Sequence, residues 1–553
     1  VRLGHASRRR HHGGAGTERG DARDETKLMD VVIIGGGVNG LVAGAWMASR
    51  KLAVTIVEQQ PVVGGAAITT EFVEGFKSPT LSHALGPISR EVVRALRLDR
   101  SGIEFLTPDP SLTAIGVDHQ AIVFHRDPVL TAGSIATVSK ADAGRWADFL
   151  RTSQRIARLA ADVHQQAPPP IDGANLWDWW RLAGLGRRAR ALGRRDLARV
   201  ARWVPMAVAD LTGEWFESDL LQAAVCAHAI FGNPAGPWSA GTGGMFLQRL
   251  AADPSPIGSG VTAKGGPGAM AEHLATVART AGAAVRTGGR VARILVKDGR
   301  ATGIALENGD EIAARAVVAA IDPKQALLNL VPPVELPPTF RDRIAKVRAR
   351  GVTAKINFAL LKAPVFQAFE HDPVPLRGRV VLAPDVDYLE RAFDHTKYGE
   401  MSEEPWLEVS VPSVLDPSLA PEGRHVASIC AHFAPRHLRG TSWDQSRNAL
   451  ARAVIRVLER HAPGFASQVV GSEVLTPEDL ERRWGLSGGH IFHGESSLDQ
   501  TWIARPLIGW ASYRTPIAGL YLGSAGVHPG GGLTGLPGLL AARAVEGDLR
   551  RKK

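Results

Sequence analysis

Val31-Val32-Ile33-Ile34-Gly35-Gly36-Gly37-Val38-Asn39-Gly40 decides the fold of this chain. Four β-branched residues in a row suit a strand buried on both faces, as in a parallel sheet. They run directly into a glycine turn, and Leu41, Val42, Ala45 and Met47 beyond it predict a helix. Gly35 permits the tight turn, Gly37 lets the backbone approach a pyrophosphate, and Gly40 allows close packing of helix on strand. Val38 and Asn39 fall at the helix start, where unpaired N–H groups and the positive dipole end favour an anion. Val54-Thr55-Ile56-Val57 predicts a second strand, ending in Glu58. An acid about twenty residues past the glycines accepts hydrogen bonds from adenosine ribose hydroxyls and repels a 2′-phosphate. The unit is therefore read as a dinucleotide site.

The residues beyond this unit point to FAD rather than NAD. Gly64-Gly65-Ala66-Ala67 lies a few residues past Glu58, in a loop whose small residues make room for a long ligand. Gly265-Gly266-Pro267-Gly268 opens a helical pattern through Met270, Leu274 and Val277. Val285, the run from Val291, a hairpin at Lys297-Asp298-Gly299-Arg300 and Val317-Val318 continue the same domain. Near the end, Gly519-Leu520-Tyr521-Leu522-Gly523 predicts a strand entering Ser524-Ala525-Gly526, and Gly530 to Gly535 opens the last helix. The expected cofactor residues are Gly35, Gly37, Val38, Asn39, Gly40, Glu58, Gly64, Gly65, Ala66, Val291, Gly526, Leu533, Thr534 and Gly535.

At 553 residues the chain exceeds one ordinary core. The expected class is α/β: a split Rossmann-like FAD domain formed by 29–100, 255–330 and 490–553, with an α+β substrate domain inserted as 101–254 and 331–489. The first insertion reads as mainly helical. Val411 to Pro417 and the alternating Val426 to Phe433 predict strands in the second. Cys226 and Cys430 have no metal-ligand or dithiol spacing and read as buried thiols. No metal is expected; His490 and His493 lack an evident third ligand.

The net charge is +10. Residues 1–28 hold seven basic groups and four acids with almost no large apolar side chain, and read as a disordered basic tail preceding a natural start at Met29. No apolar run follows the arginines, so the expectation is a cytoplasmic protein that is not secreted. Two long uncharged stretches, Val31 to Ser49 and Thr515 to Ala542, read as strand, glycine turn and helix rather than as membrane spans. Residues 181–202 carry eight arginines against Asp196, with Leu182, Leu185, Ala189, Leu192, Val200 and Trp203 near one helical face and Trp177, Trp179 and Trp180 upstream. The stretch 177–203 reads as a solvated basic face or as a peripheral membrane contact. No nucleic-acid module is present. The oligomeric state is not legible.

With these residues quoted, the chain resembles the carotenoid and retinoid oxidoreductase family, which shares an FAD fold of the amine-oxidase type. The resemblance rests on Asp30 to Gly44, Gly64 to Ala67, Lys264 to Gly268, Val317 to Pro323, and Gly519 to Gly538 around His528-Pro529-Gly530-Gly531. Gly489 to Gly494, Ser497 to Gln500, Arg505-Pro506 and Leu415 to Pro421 are similar to two branches. These are the pyridine nucleotide-disulphide oxidoreductase domain-containing protein 2 group and the desaturase-type β-carotene ketolases. The resemblance implies a flavoenzyme of phytoene desaturase type that desaturates, isomerises or oxygenates a hydrophobic polyene or isoprenoid. Gly65-Ala66 and Gly75-Phe76-Lys77-Ser78 depart from many carotene desaturases, which carry Arg and an acid at those places. His528, expected near the flavin ring, is the candidate proton carrier. Asp499 and Arg505 are expected to pair with each other or with backbone. The alternative is a flavin-bound regulatory or interaction protein with little catalysis, which a blocked cavity beside an exposed apolar patch would favour.

Overall fold

A computed structural model of the chain describes residues 28–82, 86–169 and 176–551, with side chains omitted at 176–178. All but the last residue of the expected basic tail lies outside them.

Two seven-stranded sheets organise the chain. Strand β1 (Met29–Ile34) leads into helix α1 (Val38–Ser49), and strand β2 (Val54–Val57) follows. β1 pairs in parallel with β2 on one side and with Glu311–Ala319 on the other. Ala284–Arg286 extends the sheet beyond β2, and Leu520–Leu522 pairs in parallel with Glu311–Ala319. Val291–Lys297 and Arg300–Leu306 complete it as antiparallel strands. Three separate parts of the chain thus build one sheet, and the carboxyl ends of β1, β2, Glu311–Ala319 and Leu520–Leu522 share one edge. Ligands bind outside that edge in open parallel sheets.

α1 is buried along nearly its whole length, from Val38 to Ala48. It packs between the helices Pro267–Thr280 and Leu536–Arg551. Gly538 makes the second contact possible, since a Cβ there would lie 2.0 Å from the Asn39 carbonyl oxygen. An all-round apolar helix belongs in such a place, so the uncharged stretch Val31 to Ser49 is interior. Thr515 to Ala542 contains a strand, turns and the start of the last helix. Among the described residues no helix is long and apolar enough to cross a membrane.

The second sheet runs Val469–Leu475, Thr353–Leu360, His425–His432, Leu407–Ser410, Arg379–Leu382, Leu112–Ile115 and Ala121–Phe124. The described part of 101–254 is otherwise mainly helical, led by Lys140–His164 and including Asp219–Ile230 and Thr242–Ala252, with one short strand at Phe105–Leu106. The strand expected at Val411 to Pro417 is instead a short helix, Pro412–Leu415, followed by a tight turn. Proline at the first helical position suits a helix start and cannot donate to a ladder.

The basic stretch forms helices Leu176–Ala191 and Arg194–Trp203. Its apolar face turns inward: Trp203 is buried, and Leu192 and Val200 pack on the helical core. Asp196 is buried under Arg155 and Arg199, at 2.7 and 2.6 Å. Trp179 and Trp180 are 62% and 73% exposed, so two tryptophans and the outward arginines form the free face.

Candidate functional site: a cavity joining the two sheets

A cavity of about 600 Å³ opens where the carboxyl edge of the first sheet meets the second. Gly35, Gly37, Val38, Asn39, Glu58, Gly64, Gly65, Ala66, Val291, Leu533 and Thr534 line it. Gly40, Gly526 and Gly535 stand behind the lining and act through packing. A Cβ on Gly40 would sit 2.0 Å from the Gly35 carbonyl oxygen, and one on Gly526 2.3 Å from Pro323 Cδ. Gly535, at φ +71, would press a Cβ to 2.9 Å from Val42.

Glu58 is nearly fully buried. Its Oε2 accepts from the Gly36 N–H at 2.7 Å and its Oε1 from the Gln60 N–H at 2.8 Å. Burial raises its pKa, against the lowering by these backbone donors. Each carboxylate oxygen keeps a lone pair for a further donor on the cavity side. Gly37 caps α1 without any side-chain hydrogen bond, and no acid occupies the first turn. The helix therefore presents unpaired N–H groups to the cavity, as a pyrophosphate requires.

His528 does not line the cavity. It is 1% exposed, its ring edge-on to His164 at 5.9 Å, and burial first, then His164, lowers its pKa to about 3. His493 does line it, while His490 sits behind with Nδ1 accepting from the Phe492 N–H at 3.2 Å. Among the described residues no cluster of three His, Cys, Asp or Glu side chains is placed to hold a metal. Arg505 donates to the backbone carbonyls of Phe492, Gly494, Glu495, Gln500 and Ala525, and so braces the wall that carries Phe492 and Ala525. Asp499 pairs with Arg348 instead, at 2.7 Å.

The opposite wall is the second sheet, and its polar residues went unread in the sequence. Lys355 stands beside Cys430, and Cys430 beside Glu408, across three adjacent strands. All three line the cavity with Thr353, while their neighbours Ala354, Ile356, Ile429 and Val409 face the core on the other side. Period-two alternation divides a polar floor from an apolar underside. Arg379 binds Glu408 at 2.9 Å and the carbonyls of Ile257 and Gly258 at 2.7 and 3.0 Å. Lys355 Nζ donates to Ser428 Oγ at 2.5 Å, and burial lowers its pKa to about 8. A lysine inside the otherwise apolar or neutral strand Thr353–Leu360 was the available signal, since an unassisted buried cation is rare. Arg249 and His228, from two helices, complete this end.

A model of the flavin containing amine oxidoreductase family matches residues 213–544. The chain belongs to this family. A model of an NAD(P)-binding Rossmann-like domain matches residues 33–96, from the end of β1 through α1 and β2 to the helix Arg90–Leu96. Pyridine nucleotide-disulfide oxidoreductase domain-containing protein 2 of Rattus norvegicus is 33% identical over 550 residues, covering 94% of each chain. A limonene dehydrogenase subunit of Castellaniella defragrans is 25% identical, covering 95% of this chain and 96% of its own. The crystal structure of an oxidoreductase from Methanosarcina mazei shares the fold, with a TM-score of 0.58 and 15% identity, covering 94% of this chain and all of the other. The protein is an FAD-dependent oxidoreductase of the amine-oxidase type. The residues fit that cofactor: an uncapped helix N-terminus, the Glu58 carboxylate and a glycine-lined path between them share one cavity.

Proposed function

We propose that this flavoprotein dehydrogenates an apolar, unsaturated substrate of isoprenoid type. The observation that carries the reading is the continuous cavity. From the nucleotide glycines it reaches a chamber walled by Leu81, Phe231, Ile491 and Phe492 and floored by Lys355. The relative named as a limonene dehydrogenase supports a small isoprenoid.

Bound FAD supplies a two-electron acceptor for hydride. The chain's own residues hold the substrate and manage one proton. The aromatic wall excludes water and orients an apolar body by dispersion and stacking. Lys355, with a pKa near 8, takes the proton released from the adjacent carbon on its neutral amine, leaving a carbon–carbon double bond. Ser428 fixes the amine. Dioxygen or a quinone is the final oxidant.

Incubation of the purified FAD-loaded protein with limonene, geraniol and phytoene, under oxygen or with a soluble quinone, tests the reading. A product two hydrogens lighter that carries a new carbon–carbon double bond supports it. Turnover of simple alkyl amines with none of the isoprenoids overturns it.

In the same reading the enzyme works against an anionic membrane, where apolar substrates reside. The favouring observation is the exposed pair Trp179 and Trp180 beside outward arginines such as Arg187, Arg190 and Arg195. Tryptophan suits the headgroup interface, and each basic residue near an anionic surface adds about 1 kcal/mol.

A further inference from the structure

We infer that the chamber recognises a carboxylate on its substrate, through Arg249 with His228 beside it. The inference rests on the proposed function for the location and narrows the substrate to an amphiphile, an unsaturated apolar body with one anionic end.

Arg249 rises from the helix Thr242–Ala252 and lines the cavity. Its guanidinium carbon lies 5.0 Å from the Phe231 ring centre and 5.1 Å from that of Phe492. One N–H is used by the Phe231 carbonyl oxygen at 2.7 Å. Among the described residues no carboxylate oxygen comes within salt-bridge distance of it. The two nearby acids are engaged elsewhere: Glu408 by Arg379, and Asp253 by the N–H groups of Ser255 and Ser259. A guanidinium packed on two aromatic rings is oriented, keeps donors for further acceptors and, this deep, is costly to leave without an anion.

His228 supplies the second polar atom. It is 9% exposed and borders the cavity, where its Nδ1–Cε1 edge lies beside Gly258, while Nε2 is sealed inside the protein. Burial keeps the ring neutral at physiological pH, so one tautomer offers an N–H to an oxygen.

Charge decides between classes of anion. At neutral pH, below the Lys355 pKa of about 8, the lining cations Arg249, Arg379 and Lys355 stand against Glu408 and Asp253 at this end, an excess of one positive charge that is lost when Lys355 gives up its proton. That matches a monoanion and its two planar oxygens. A diphosphate would bring more negative charge than the chamber balances.

The test uses the FAD-loaded protein at neutral pH and three probes of similar body: geranic acid, geraniol and geranyl diphosphate. Binding is read as perturbation of the visible flavin spectrum. Geranic acid should bind at least about tenfold more tightly than geraniol, the range of one charge-assisted contact. Arg249→Gln should abolish the preference with flavin content unchanged, and Arg249→Lys should retain part of it. Equal binding of acid and alcohol, no response to the acid, an acid preference surviving Arg249→Gln, or tighter binding of the diphosphate would each overturn the inference. The wild-type comparison stands even where a variant fails to fold. Turnover is scored separately: acid-selective binding without dehydrogenation removes the proposed function and keeps the carboxylate site, while oxidation of geraniol without acid preference does the reverse.

Discussion

The Glu58 carboxylate is tied to the glycine turn it faces, its Oε2 accepting from the Gly36 N–H at 2.7 Å. Only one glycine of the turn combines an ordinary backbone with open space. Gly37 has φ −70, and a Cβ there would meet nothing closer than Gly65 Cα at 3.8 Å. Gly37→Val is therefore expected to fold and to lose FAD, because its side chain occupies the pyrophosphate approach. Circular dichroism with the visible-to-ultraviolet absorbance ratio of purified protein checks this. A folded variant with a full flavin spectrum would contradict the site.

Lys355 makes the reaction pH-dependent. Its folded pKa of about 8 is below the ordinary 10.5, the shift being due first to burial. A step that needs the neutral amine gains rate as pH rises through 8. Lys355→Met should remove that limb and lower kcat by about a hundredfold, the usual scale for a lost proton carrier. The limb's persistence in the variant would assign it to another group.

Acid sensitivity has a source away from the cavity. Burial alone would raise the pKa of Asp479, but Arg447 and Thr476 hold it at about 2 against an ordinary 3.8. A carboxylate with a depressed folded pKa stabilises above its unfolded value and loses that contribution as pH falls through the folded one. Asp479→Asn should cost about 2 kcal/mol near neutrality, with the Tm gap to the parent closing between pH 4 and pH 2. Parallel melting curves across pH 2–7, with a constant gap, would rule out this role.

NADH and NADPH are not expected to reduce the flavin. The glycine turn ahead of α1 is the chain's one dinucleotide fingerprint, and FAD claims it. Cys226 and Cys430, both buried, show no dithiol spacing. Anaerobic stopped-flow mixing should leave the flavin oxidised, and rapid saturable bleaching by either nucleotide would refute the expectation.

Liposome flotation checks the membrane proposal. Binding to anionic vesicles should weaken with salt and fall on replacing Trp179 and Trp180 by alanine or neutralising Arg187, Arg190, Arg194 and Arg195. Undiminished flotation of both variants at low salt would exclude this face.

The sequence by itself determined the first sheet and its nucleotide edge, because strand, glycine turn, helix and acid lie within thirty or so consecutive residues and each step is a local constraint on backbone conformation or close approach. It also carried Gly64-Gly65 and the last glycine-rich turn, where composition alone marks a close approach. Local composition misread Val411 to Pro417, since Pro412 starts a helix as readily as it ends a strand. The tertiary structure alone decided the substrate end. Arg249 and His228 come from helices, Lys355, Arg379 and Glu408 from three strands, and no spacing along the chain joins them. Sheet pairing brings Lys355, Cys430 and Glu408 into one row, and packing of the helix Thr242–Ala252 sets Arg249 against Phe231 and Phe492. It likewise placed His528 behind the wall against His164, where a position in a glycine-rich turn had suggested the cavity. Local residues fix how the backbone turns; which side chains share a cavity depends on contacts between segments tens to hundreds of residues apart.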